Sequence, residues 1–304
     1  CAKCDLPESY ETIEYNEKNV CNICTGANFK NEKIDWKKRK EKLTKIIDQH
    51  RNKSAYDCIV PFSGGKDSVF QLYYLMKEFK LKPLVIRFNH GFLRETTINN
   101  TNKVLKKLGA DFIDFTPNWK IVKKLMLESF IRKTDFCWHC HTGIFSYPLR
   151  MAIIHKVPLI FYGESTSEMD SYTNFEDDEI DYFDEKKFNI KFNLGITADD
   201  MFNMLNKKDD PIDRRDLLPY TFPSIDEYKD NKLVPIALGS FIKWDATVQT
   251  DLIKKELNWE TDELEHIPAK FNPNGDKMEC FMQASRDYVK WLKRGYSRMT
   301  QINS

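Results

Sequence analysis

The segment Ser63-Gly64-Gly65-Lys66-Asp67-Ser68 constrains this chain most, because it joins an apolar run, Cys58 to Phe62, directly to an amphipathic run that opens at Val69. Two glycines let the backbone turn tightly and bring its N–H groups against a phosphate with no Cβ in the way. A helix starting at once afterwards adds free N–H groups and the positive end of its dipole. Ser63 and Ser68 supply hydroxyl donors and Lys66 a mobile cation for a departing pyrophosphate. Asp67 would repel phosphate unless a cation intervened, so Mg²⁺ is expected to bridge it to the phosphates. The spacing is not that of a Walker A loop, which needs GxxxxGK[ST].

Around this turn, short apolar runs alternate with amphipathic segments, the pattern of repeated βα units. Strands are predicted at 57–62, 83–88, 111–115, 158–162 and 233–238, with helices at 68–79, 97–108, 119–131 and 143–155. Gly109 is placed to stop the second of these helices, and Asp245 to cap a further one over 246–257. The expected fold class is α/β, a parallel sheet with helices on both faces. Composition agrees with a globular chain: 41% apolar, 31% charged and 13% aromatic residues. No run approaches the roughly 18 apolar residues of a membrane span, and a cytoplasmic location is expected. The sequence opens on Cys1 rather than Met, which leaves room for further residues at either end, a targeting peptide among them. Forty-seven Lys and Arg against 46 Asp and Glu leave a net charge of +1, which argues against nucleic acid as the main partner.

Cys1, Cys4, Cys21 and Cys24 form two CxxC knuckles separated by 16 residues, the spacing of a four-thiolate zinc ribbon. A structural Zn²⁺ would there replace the core that so short a segment cannot build. The expected organisation is a zinc ribbon over 1–34, a linker helix over 35–54, an α/β domain over 55–260 and a C-terminal helical segment over 261–304. The basic helix after the ribbon is either a linker with a solvated face or a surface for an acidic partner. Residues 164–228 read as an insertion, whose acidic run at 176–185 is a solvated surface rather than a metal site, since aromatic residues interrupt it and no ligand spacing emerges. In the last helix, over 285–296, Tyr288, Val289, Trp291 and Leu292 are the expected buried set.

A second CxxC, Cys137 and Cys140 with His141 following, precedes the helix that leads into the fourth strand. Such a pair can hold zinc, hold an iron–sulfur cluster, form a redox disulfide or merely pack. Its place at the carboxyl edge of the sheet makes these three residues candidates for the active site. Cys280 is either a third ligand for the pair or an inert buried thiol, and Cys58 is a small core residue. Arg87, Arg214 and Arg215 are candidates for a substrate carboxylate or diphosphate, or else surface ion pairs.

SGGKDS resembles the PP-loop of N-type ATP pyrophosphatases, in the adenine nucleotide alpha hydrolase-like fold. In that family the segment after the second strand borders the adenine, which implies Phe88 and Asn89, with His90 beside them, at the nucleotide; either polar residue can equally be a turn residue. The ribbon, PFSGGKDS, CWHCHTGIF, VPLIFYGES, LGSFIKWD and WLKRGYSRMTQ together resemble the N-acetyl sugar amidotransferases of bacterial surface-polysaccharide and nonulosonic-acid pathways. That resemblance implies attack of an acetamido oxygen on the α-phosphate of ATP and release of pyrophosphate. Ammonia then displaces AMP to leave an acetamidino group. Lys66 and Asp67 would be catalytic. Glu164 would take a proton or stabilise the cation, unless it merely caps or pairs. A separate glutaminase subunit is the expected ammonia source. The alternative within the superfamily is a tRNA thiolase using Cys137 and Cys140.

Overall fold

The computed structural model describes residues 1–4, 6–10, 13–164 and 195–297; the acidic run at 176–185 lies outside them. Five strands form one sheet: β1 (Cys58–Pro61), β2 (Pro83–Phe88), β3 (Asp111–Phe115), β4 (Leu159–Tyr162) and β5 (Val234–Ala237). Their order is β3-β2-β1-β4-β5, and every neighbouring pair is parallel. The chain moves outward on one side of β1 and then returns to start the other side, so the sheet reverses direction beside β1.

The strands carry nearly continuous apolar runs because both faces are covered. Cys58, Val60, Val85, Leu159, Phe161 and Ile236 pack on one face with α2 (Trp36–His50), α3 (Lys66–Lys77), α4 (Glu95–Leu108) and α9 (Ala246–Leu257). Ile59, Leu84, Ile86, Ile160 and Tyr162 point to the other face, where α6 (Trp138–His155) lies. Each fully buried aliphatic side chain contributes about 2 kcal/mol, and Val69, Leu72 and Leu75 of α3 are all at 0% exposure. On the second face α5 (Trp119–Lys133) and α7 (Ala198–Leu205) extend the core through Ile121, Leu125 and Met201. Two short segments, the 3₁₀ turn Arg214–Tyr220 and α8 (Ile225–Asp230), precede β5. Gly109 ends α4 at φ +68°, and the Asp245 carboxylate accepts from Thr247 and Val248 N–H at the start of α9.

Three elements differ from expectation. The ribbon contains a helix, α1 (Asn22–Glu32), with no buried residue of its own. Helix α2 carries Leu43 and Ile47 into the core and buries Arg39, which donates to the Ser240 carbonyl at 2.9 Å. Helix α10 (Gln283–Arg294) buries Gln283 and Asp287, whereas Tyr288 (61%), Trp291 (49%) and Leu292 (60%) are exposed and Val289 is only partly buried. Asp287 turns inward because it accepts from Gln283 Nε2 and from His266 Nε2, each at 2.8 Å.

Candidate functional site

The phosphate-loop sequence sits at the carboxyl end of β1, in the middle of the sheet, and opens directly into α3. Gly64 adopts φ +87°, a conformation that L side chains avoid. The Ser68 hydroxyl accepts from Ser63 and Gly64 N–H at 3.2 Å each, and Ser63 Oγ accepts from Gly65 N–H at 3.2 Å. The two serine hydroxyls thus take up the Ser63, Gly64 and Gly65 amides at the start of α3, the groups that a phosphate at a helix N-terminus would otherwise accept from. Ser63 itself is exposed and Gly65 is the α3 N-cap.

Lys66 is buried, and its Nζ pairs with Asp67 Oδ2 at 2.6 Å and Asp276 Oδ1 at 2.8 Å. Burial alone would lower the ammonium's pKa, but Asp67, Asp276 and Glu164 outweigh it and raise the group above its ordinary value. Lys66 is thus a permanent cation at the mouth of β4, where Glu164 follows Tyr162 by two residues. Asp67 Oδ1 also accepts from the Trp244 indole N–H at 3.3 Å. Burial pushes the Glu279 carboxyl up, and its side chain lies directly over Gly65, in the space a Cβ there would occupy. Trp259 Nε1 donates to the Gly64 carbonyl at 3.0 Å and closes the loop from behind. Carboxylate oxygens are the donors magnesium prefers, and Asp67 and Asp276 supply them beside the loop.

The structure groups Ser63, Gly64, Gly65, Lys66, Asp67, Ser68 and Glu164 in this one region. Phe88 is different: its ring is 4% exposed and packs against Phe115, Tyr147 and Tyr220, so it belongs to the core rather than to an open site. Asn89 makes a local turn, accepting from Gly91 N–H at 3.0 Å. His90 is buried, and burial, with His139 and Arg87 nearby, lowers its pKa to about 4. Arg87 is committed to Asp114 and to Thr101 Oγ1, which leaves its fork engaged inside the protein. Arg214 and Arg215 are exposed and pair with Asp199 and Asp213, the surface alternative for both.

Cys137 is the N-cap of α6 and Cys140 lies in its first turn, because the helix starts at Trp138 rather than near Gly143. Trp138 is completely buried and its indole N–H donates to the Ile196 carbonyl at 2.9 Å, which pins that turn. Burial pushes the Cys137 thiol up to about 12 and the Cys140 thiol well above its ordinary value. Burial also holds His141 well below its usual pKa, so it stands neutral. Sequence reasoning missed Asp276, Glu279 and Trp259, which reach the loop from beyond β5 and carry no motif, and it read Trp244 only as part of the LGSFIKWD segment without a role at the loop.

At the other end, Cys1, Cys4, Cys21 and Cys24 bring their sulfurs within 4.8 Å of one another, and the Cys4 and Cys21 sulfurs are 3.6 Å apart. Tetrahedral thiolates around Zn²⁺ stand about 3.8 Å apart, given Zn–S of about 2.3 Å, so the four residues fit that ion. Lys3 and Cys21 N–H both donate to Cys1 Sγ at 3.3 Å, the backbone support a metal thiolate needs. No helix among the described residues is long and apolar enough to cross a membrane.

No family model matches the chain. An uncharacterised protein of Methanocaldococcus jannaschii is 29% identical over 116 residues, 37% of this chain and 41% of that protein, so the match spans about two-fifths of the relative's length. Among solved structures, a U34-tRNA thiolase from Methanococcus maripaludis with its [4Fe–4S] cluster is 16% identical, covering 97% of this chain and 85% of that one, at TM-score 0.40. A predicted subunit of tRNA methyltransferase from Methanocaldococcus jannaschii is 15% identical over 80% and 90% of the two chains, at TM-score 0.35. An NH₃-dependent NAD synthetase from Campylobacter jejuni is 14% identical over 76% and 99%, also at TM-score 0.35. Likenesses this distant assign no activity.

Proposed function

We propose that this chain is an ATP-consuming amidotransferase that adenylates the acetamido oxygen of an N-acetylated sugar and exchanges it for ammonia, leaving an acetamidino group, AMP and pyrophosphate. The observation that carries the reading is the SGGKDS turn at the carboxyl end of the central strand, with its amides arrayed by Ser63 and Ser68 and its cation, Lys66, buried among carboxylates. An amide oxygen is nucleophilic but cannot leave as oxide, so it needs conversion to a phosphate ester before nitrogen can displace it. The loop amides and Lys66 hold the α- and β-phosphates and take up the charge that develops on departing pyrophosphate. Asp67 and Asp276 release Lys66 when phosphate arrives and can hold Mg²⁺, which supplies charge neutralisation there. Glu164, close enough to Lys66 to raise its pKa, receives a proton as neutral ammonia becomes part of an amidine. A separate glutaminase subunit delivers that ammonia, since free ammonia is mostly ammonium at neutral pH.

One observation favours a second reading, tRNA thiolation: the second CxxC, Cys137 and Cys140, stands at the start of α6, and the His90 carbonyl of the loop after β2 lies 3.4 Å from His139 Nε2 between them. Both readings are separated by following ATP-to-AMP conversion with ammonium, in parallel against N-acetylated sugars, their nucleotide-linked forms and bulk tRNA with a sulfur donor. Sugar-dependent AMP release with a product mass showing oxygen exchanged for NH supports the amidotransferase. AMP release that requires tRNA and sulfur overturns it.

A further inference from the structure

Each phosphate-binding group of the turn has an occupant drawn from the protein itself. The Ser63 and Gly64 amides donate to Ser68 Oγ, and the Gly65 amide to Ser63 Oγ. The Lys66 ammonium is held by Asp67 and Asp276. The third group is the positive end of α3, whose N-cap, Gly65, has no side chain to accept from the first-turn amides. The Glu279 carboxyl stands there instead. Its Oε1 falls nearest the position that a Cβ on Gly65 would take, with Cδ 2.6 Å and Cγ 2.9 Å from it. The tip of Glu279 thus fills the space into which an N-cap side chain would project.

Asp276 and Glu279 belong to one short strap whose backbone is fixed at both ends. Asp276 N–H donates to Asn272 Oδ1 at 2.9 Å, and Asn272 Nδ2 donates to the Asp276 carbonyl at 3.1 Å. Met278, between the two carboxylates, is completely buried in the core. The Glu279 carbonyl accepts from Arg94 N–H at 3.2 Å, Cys280 bridges Leu93, and Phe281 N–H donates to the Phe92 carbonyl at 2.9 Å. The buried Arg94 guanidinium pairs with Asp262 and Glu265 and stands 4.8 Å from the centre of the Phe281 ring, which locks the same pairing. What can move without unmaking this packing is the two side chains, and that of Asp276 is already 39% exposed. A carboxylate at a helix N-terminus is favoured by the same dipole and N–H groups that favour a phosphate, and a carboxylate on a lysine takes up the same cation. Carboxylate and phosphate therefore compete for these positions. We propose that Asp276 and Glu279 are a built-in stand-in for nucleotide phosphates, seated on Lys66 and on the α3 N-terminus of the empty protein, and that an incoming nucleotide must displace both. A single phosphate replaces one carboxylate and leaves the other in place, so the pair favours ligands with two or more linked phosphoryl groups. This inference rests on the reading of the turn as the seat of ATP phosphates, and not on which carbonyl the enzyme adenylates.

The test measures dissociation constants for ATP, pyrophosphate and adenosine by titration calorimetry on the full chain, without added divalent cation. Glu279→Gln and Asp276→Asn each remove one competing charge at nearly constant size. Each should tighten pyrophosphate and ATP by about fivefold or more, the scale of one charge at a helix end and of the population it frees. The double variant should gain more than either, and adenosine should bind all four proteins alike. Glu279→Asp, which draws the carboxyl back by one methylene, serves where the glutamine variant does not fold and should shift the same way. Unchanged pyrophosphate binding in the folded variants would overturn the proposal, and so would weaker binding, which would make the carboxylates part of the nucleotide's grip. ATP bound by the parent chain with no gain in the variants would sink this inference alone. No binding of ATP or pyrophosphate by the parent or any variant would sink the reading of the turn as well.

Discussion

Lys66 links the phosphate loop to the residues that wall it, since its one ammonium neutralises parts of three carboxylates. Lys66→Ala should therefore lower ATP-to-AMP conversion by at least 10²-fold, the scale of removing one transition-state donor. Circular dichroism on the same variant should show the fold retained, because the freed carboxylates of Asp67 and Asp276 are partly exposed and can be hydrated. Gly65 makes a sharper demand. A Cβ there collides with the Glu279 carboxylate, so Gly65→Ala should destabilise the chain by about 1–3 kcal/mol in thermal unfolding. Gly65→Ala combined with Glu279→Ala should recover most of that loss. Recovery absent from the double variant would mean that Glu279 does not occupy the loop.

Among the elements, the N-terminal segment is organised around four clustered cysteine sulfurs and the sheet is not. Helix α1 has no buried residue and is tied to the α/β body by Lys30 Nζ donating to the Trp244 carbonyl at 2.8 Å, so a metal on the four clustered sulfurs would supply most of that segment's own cohesion. A strong zinc chelator, or Cys4→Ser, should release one zinc per chain and expose the segment around Cys21 to protease. The Leu72 and Ile59 core should meanwhile keep its cooperative unfolding transition, because both side chains are fully buried in clusters that contain no ribbon thiol. Helix α10 shows the limit of amphipathicity as a guide. A helix with an apolar side need not turn that side inward when Asp287, His266 and Gln283 can satisfy one another in the interior.

Across the whole molecule, a net charge of +1 gives no long-range attraction for a polyanion. Bulk tRNA at physiological salt should leave the ammonium-dependent release of AMP unchanged, measured as initial rate with and without it; a rise in rate would favour the thiolase. The sheet, its parallel order and the phosphate turn were readable in the linear chain because they rest on near neighbours: an apolar run, two glycines, a lysine and a helix start. The four-thiol spacing was readable for the same reason, each CxxC being a local knuckle. The facing of Phe88 is not legible locally, because a residue at a strand's carboxyl end can face either the crevice or the helix behind it, and here it packs against Tyr147 and Tyr220. Asp276, Glu279 and Trp259 could not be read, since they meet Lys66, Gly65 and Gly64 only after the chain has closed over a long stretch, as between Trp259 and Gly64 at a separation of 195. Local chemistry thus specified the loop and the ribbon. The walls of the site came from long-range pairing of the last segment with the loop after β2, where Cys280 bridges Leu93, and no short-range pattern encodes that pairing.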